Sequence, residues 1–303
     1  MKKSSIIAAS FLLAGQLILS ACSPATPSTT AAGTAAGTTT AGTTTAGTTA
    51  ATTTGEATTV KVGVIGSKHE VWDKVKENLA KENITIELVE FTEYPPVNQS
   101  LADGDLDLNA FQHHIYFDAF NDANGNKLVS IGDTFLSPIG LYSEKYASPA
   151  EIKDGDTISI PDDPTNAGRS LRVLEAAGLI KLADPANLAP TQQDIVENKL
   201  NLTITELEAA QTARSLRDVA AAIINTDLAM SADLSPADDA IFLEPVTDAS
   251  QPYFNLIAAR AEDQDNPVYK QVVAAYQTQE IGDYMIEIYK GAQFPVWEGY
   301  VKK

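Results

Sequence analysis

The stretch VKVGVIGSKHEVWDKVKENLAKENITIELVEF, residues 60 to 91, decides the architecture. VKVGVI is a β-branched run closed by Gly66, the signature of a strand. In EVWDKVKENLAKEN, Val71, Val75 and Leu79 recur at i, i+4 and i+8 with charged residues between them, which predicts an amphipathic helix. ITIELVEF reads as the next strand. A strand, a helix and a second strand in this order belong to an α/β fold built on a mostly parallel sheet.

The rhythm continues downstream. VNQSLADGDL reads as a short helix, DLNAF as a strand, and KLVSIGDTFL and PIGLYSEKY as two more strands. A second unit opens at DGDTISIPDDPTNAGRSLRVLEAAGLI. There TISIP is a strand, and a helix is expected from about Ala167 to Ala177 with Gly178 as its stop. The stretch LTITELE, a helix over TARSLRDVAAA and the strand AAIIN follow, and PVYKQVVAAYQTQEIGDYMIEIYKG closes the chain as a long amphipathic helical region. Two such units would meet at a cleft, the usual place for a small ligand.

Upstream of residue 60 the sequence changes character. MKKSSIIAASFLLAGQLILSAC joins two lysines to a short apolar run and small residues before Cys22, an export signal too short for a stable transmembrane helix. The Thr/Ala/Gly repeats that follow carry no large apolar side chain and cannot offset their chain entropy, so a flexible tether is expected there. The fold then has roughly 240 residues, enough for two modest domains. Cys22 is the only cysteine, which excludes disulfides within the chain and cysteine-rich metal sites. The formal charge of −19 argues against nucleic acid or anionic phosphates as ligands.

Candidate site residues come from three places. In NAFQHHIYFDAF, residues 109 to 120, His113 and His114 sit among Phe111, Tyr116, Phe117 and Phe120, as metal ligands, a base or the polar tip of an apolar pocket. In an extended segment adjacent side chains point opposite ways, so one ion cannot easily use both imidazoles. In PTNAGRS, Thr165 or Asn166 is expected as the helix N-cap. Asn166 and Arg169 then share a face, where free N–H groups and an arginine fork could grip a carboxylate bidentately. The alternative is a capped helix with a surface arginine. Asn225 and Asn255 lie in apolar runs, and a buried amide needs partners, either backbone or a ligand ammonium. No G-x-S-x-G elbow or thiol beyond Cys22 offers a nucleophile.

Taken together, EFTEYPPVNQSLADGDLDLNAFQHHIYF, IPDDPTNAGRSLRVLEAAGLI, LEAAQTARSLRDVAAAIIN and PYFNLIA resemble the methionine-binding lipoproteins of the NlpA/MetQ type, from about Val60 to Trp297 and in the same order. The residues before Cys22 resemble a lipobox, which implies cleavage after residue 21, acylation of Cys22 and a membrane anchor on the extracytoplasmic face. The resemblance implies a two-lobed periplasmic-binding-protein fold with a hinge and an interlobe cleft. The first lobe would comprise residues 60–142 plus 247–303, the second residues 143–246, and a tether residues 22–59. It implies an aromatic cage of Tyr94, Phe111 and Tyr116 around a thioether, with His113 in the same wall. Asn166 and Arg169 would hold the ligand carboxylate, and Asn225 and Asn255 its ammonium end.

The expected protein is thus no enzyme and needs no cofactor or metal. It is a monomer that captures L-methionine, or its D form, for an ABC importer permease with its ATPase. Rival readings are a methionyl dipeptide or other apolar amino acid as ligand, and a zinc-binding or adhesive surface lipoprotein. Relatives carry an aromatic shortly after the residue matching Asn225, whereas this chain has Thr226, Asp227 and Leu228, a change expected to loosen the cage.

Overall fold

The computed structural model describes residues 57–184 and 186–302. The signal peptide, Cys22 and the tether up to residue 56 lie outside the described residues. β1 (Thr58–Ile65) begins two residues before the expected start and buries Val60, Val62 and Val64 while Lys61 faces solvent. α1 (Glu70–Ala80) lays Val71, Val75 and Leu79, with Trp72, against that strand, and β2 (Ile84–Phe91) pairs with β1 in parallel. The opening stretch therefore folds as a β-α-β unit.

α2 (Pro95–Asp103) and β3 (Leu108–Asn109) follow, β3 parallel to β1. α3 (His114–Asn124) and β4 (Leu128–Leu136) come next, after which the chain leaves this sheet. Gly140–Tyr142 forms β5 in a second sheet, so the change of sheet lies at residues 137–139, ahead of the expected boundary after residue 142. The second sheet takes β6 (Thr157–Pro161), then α4 (Pro164–Ala176). A small pair, β7 (Lys181–Leu182) and β8 (Ile195–Glu197), stands apart.

β9 (Thr203–Leu207), α5 (Ala209–Ser215) and β10 (Ala221–Ile224) then build the sheet, with α6 (Thr226–Ser231), α7 (Pro236–Asp239) and β11 (Ala240–Leu243) closing it. The chain returns through residues 244–253 to β12 (Phe254–Arg260), α8 (Pro267–Tyr276), α9 (Gln279–Ile288) and β13 (Phe294–Pro295) of the first sheet.

The strand orders are β13-β4-β12-β3-β1-β2 and β11-β5-β10-β6-β9. In each sheet a parallel half made by β-α-β crossovers joins an antiparallel half that contains the strands flanking the change of sheet, with the C-terminal β13 added in the first. The result is a two-lobed fold with one mixed sheet per lobe. The two passages between sheets lie side by side. The N–H of Glu244 donates to the carbonyl of Ile139 at 3.0 Å, and the N–H of Ile139 donates to the Glu244 carboxylate at 3.2 Å.

Three local expectations change. α4 starts at Pro164 and its N-cap is Asp163, whose carboxylate accepts from the Asn166 N–H at 2.9 Å; neither Thr165 nor Asn166 is the cap. Proline at the first helical position has its φ preset and no N–H to lose, so the helix begins there. Gly178 does end it, at φ +77°. The helix expected over TARSLRDVAAA stops at Ser215, because Ala221 and Ala222 are drawn into a fully buried strand between β5 and β6. The long C-terminal helix is two helices, broken where the Thr278 side chain caps α9 by accepting from the Ile281 N–H.

Candidate functional site

The wall on the first lobe is carried by residues 109–116. Beneath it Asn98, Asn109 and Gln112 form a buried amide cluster. Asn98 and Gln112 exchange two hydrogen bonds at 2.6 Å, and Asn109 donates to Asn98 at 2.8 Å. Buried amides satisfied by one another hold a segment in one conformation, and this segment presents Phe111 and His113 to the cleft. His113 caps α3: its Nδ1 accepts the Tyr116 N–H at 3.1 Å, so Nε2 carries the proton and faces Asn166 Oδ1 at 3.3 Å. Burial, seconded by the Arg169 charge, pushes its pKa down to about 3, so the ring is neutral.

His114, one residue on, turns the other way. Its side chain is a third exposed and its Nε2 lies 2.7 Å from Asp133 Oδ1, a bond that raises its pKa. The adjacent histidines therefore serve different surfaces. Tyr94, Phe111 and Tyr116 meet one another with ring centroids 5.8–5.9 Å apart. The Tyr94 hydroxyl donates across the cleft to Asp227 at 2.9 Å and 3.2 Å, and burial with that carboxylate nearby raises the phenol well above its ordinary value.

The opposite wall starts at the cap of α4. Asp163 takes the Asn166 N–H and, at 2.9 Å, the Asn166 side-chain NH₂, which aims Asn166 Oδ1 at His113 and at the Asn225 amide, 2.9 Å away. One turn on, Arg169 is 2% exposed. Its Nε and Nη2 grip Glu244, Nη2 also donates to the Ser137 carbonyl at 2.9 Å, and the guanidinium lies 4.4 Å from the centre of the Tyr253 ring. The bidentate edge expected to meet a ligand is thus held by a carboxylate of the chain itself. Such a pair fixes a buried arginine in place.

Tyr94, Phe111, His113, Tyr116, Asn166, Arg169, Asn225 and Asn255, the eight residues singled out in the sequence, all line this one cavity between the sheets. Asn225 Oδ1 is buried there with no hydrogen-bond partner. The sequence reading missed Ser137, Asp227, Glu244 and Tyr253. Asp227 lines the cavity, and burial, opposed by the Tyr94 bond, raises its carboxyl to about 6. Its neighbour Leu228 packs into the core instead. Where a looser cage was expected, a carboxylate ties the cage to the other lobe. The signal available was an acid inside the run IINTDLAM, two residues from a candidate asparagine. Glu244 and Ser137 gave none, since they act through contacts 75 and 32 residues away from Arg169. Among the described residues, no three or more His, Cys, Asp or Glu side chains converge on a metal position.

The model of the NlpA lipoprotein family matches residues 60–297. Outer membrane lipoprotein 3 of Mannheimia haemolytica is 48% identical over 241 residues, which cover 78% of this chain and 90% of that protein. The D-methionine-binding lipoprotein MetQ of Salmonella typhi is 45% identical over 242 residues, 78% of this chain and 88% of its own. Among solved structures, a nutrient binding protein from Burkholderia cenocepacia bound to methionine superposes with a TM-score of 0.73 at 42% identity, covering 78% of this chain and all of that one.

Proposed function

The chain belongs to the NlpA lipoprotein family, and on that premise we propose that it captures methionine, L or D, between its lobes and delivers it to the permease of an ABC importer. The observation that carries the reading is Asn225 Oδ1, a buried acceptor without a donor, facing a cavity whose other end is a cage of three rings. A buried amide oxygen left unpaired costs about 1–3 kcal/mol. A ligand ammonium supplies the missing donor. Arg169 then attracts the carboxylate, and the thioether lies among Tyr94, Phe111 and Tyr116, where sulfur–ring contacts contribute roughly 0.3–1.5 kcal/mol each.

Capture and release make and break no covalent bond. Residues 137–139 and 244–253 are the passages about which the lobes would close, with the first sheet moving as one body and the second as the other. The anchor would be acyl chains on Cys22 at the extracytoplasmic face, which tether a protein without crossing the bilayer.

Native mass spectrometry of the purified chain tests the reading, first as isolated and then after unfolding, ligand removal and refolding with single candidates. Retained methionine mass, restored by L- or D-methionine and not by leucine or zinc, is the expected result. A refolded chain that takes a peptide or a metal ion and ignores methionine overturns it.

A further inference from the structure

Among the described residues, two buried side-chain atoms without a hydrogen-bond partner belong to residues that line the cavity, and only one of them, Asn225 Oδ1, is an acceptor by nature. The other is the hydroxyl of Ser137. It is buried, with the residue 8% exposed, and has no hydrogen-bond partner. Two further buried hydroxyls without partners among the described residues, those of Thr134 and Tyr142, lie outside the cavity lining. Buried hydroxyls are nearly always hydrogen-bonded, so one left open at a ligand cavity points to a partner that arrives with the ligand.

The surroundings say which pole of the ligand that partner is. The carbonyl of Ser137 accepts Arg169 Nη2 at 2.9 Å, which places the residue against the guanidinium. The backbone that follows Ser137 is pinned twice. The next carbonyl, that of Pro138, accepts the Thr226 hydroxyl at 2.6 Å, and the N–H of Ile139 donates to Glu244. The side chain has one environment, fixed by passages that join the lobes. Arg169 meanwhile directs Nε and Nη2 at Glu244 and at Ser137 itself. A carboxylate has about four acceptor positions. An arginine with most of its fork engaged cannot satisfy them alone.

We propose that Ser137 is a ligand-binding residue whose hydroxyl donates to the carboxylate of the captured amino acid beside Arg169. The inference rests on the capture of an amino acid between the lobes. It makes the cavity complementary to a zwitterion at both poles, with an open acceptor for the ammonium and an open donor for the carboxylate. It also ties the carboxylate to the chain between the sheets, since residue 137 begins the first passage.

The test is Ser137→Ala in the full chain, freed of ligand by unfolding and refolding. Calorimetric titration with L-methionine is read beside the melting temperature of the ligand-free protein. A lost hydrogen bond to a charged group predicts binding about ten- to a hundredfold weaker. The ligand-free melting temperature should not fall, because the hydroxyl has no partner to lose. Affinity within twofold of the wild type overturns the proposal. So does a loss of affinity matched by a lower ligand-free melting temperature, which would mark a role in packing. If the wild-type chain itself binds no amino acid, the capture reading fails first, and this titration shows it before any variant is compared.

Discussion

The two ends of the cavity are built on opposite plans. At the polar end Asp163, Asn166 and Asn225 are joined by hydrogen bonds, as are Arg169 and Glu244, so the groups proposed to meet an amino acid's charges are held in place by the chain itself. At the aromatic end Tyr116 meets Tyr94 and Phe111 edge to face while Tyr94 and Phe111 are tilted by 30°, and a polar tie there is the Tyr94–Asp227 bond across the cleft. A pre-formed network discriminates sharply, because a wrong ligand leaves buried groups unpaired. Rings tolerate changes in shape at small cost. The arrangement would demand an α-amino acid strictly and select its side chain more gently.

Four variants can break or sharpen that contrast. Arg169→Ala should have the largest effect. It removes the carboxylate's cation and leaves Glu244 mostly buried with the Ile139 N–H and no counter-charge, a change that costs about 3–5 kcal/mol. Methionine binding should vanish in calorimetry and the melting temperature should fall. Near-normal affinity would show that the polar end is elsewhere.

Asp227→Asn comes next, at most about 3 kcal/mol from a carboxyl moved from its ordinary value of 3.8 to about 6. A folded-state pKa above the unfolded one means that this group's contribution is fully favourable below pH 3.8 and is lost as pH rises through 6. Unfolding free energies of wild type and variant should therefore converge toward pH 4 and separate by pH 7, with the variant the more stable. Parallel curves would mean that Asp227 does not titrate there.

Phe111→Leu should weaken methionine by roughly 0.3–1.5 kcal/mol while sparing norleucine, measured in the same titration. Equal losses for both would remove sulfur from the account. His114→Ala should leave binding within about twofold, and competition by zinc would revive the metal reading. Its bond to Asp133 raises the histidine's pKa, so any stability it adds is present below its ordinary value of 6.5 and fades as pH rises through the raised one.

How much could be read in advance follows the range of the forces involved. The β-α-β opening was legible because Val71, Val75 and Leu79 carry a helical period within a dozen residues. The cage and the asparagines were legible through resemblance, as motif positions. Their employment was not. Asn166 is engaged by Asp163, His113 and Asn225, and the arginine's bidentate edge belongs to Glu244. Apart from the Asp163 contact, those pairings span 53 to 75 residues of chain, and no local period records them. The cap at Asp163 was readable in principle, since proline at the first helical position displaces the cap to the residue before it. The split of the C-terminal helix at Thr278 carried the same kind of local cue.

His113 is at once cap and wall, and that double duty has a use. The Tyr116 N–H is held by Nδ1 of a ring whose other nitrogen faces the cavity. Anything that steadies the ring from the cleft also slows the opening of the first turn of α3. Exchange of the single Tyr116 amide with solvent deuterium then works as an occupancy gauge wired into the backbone, readable without labelling the ligand and indifferent to which amino acid fills the site.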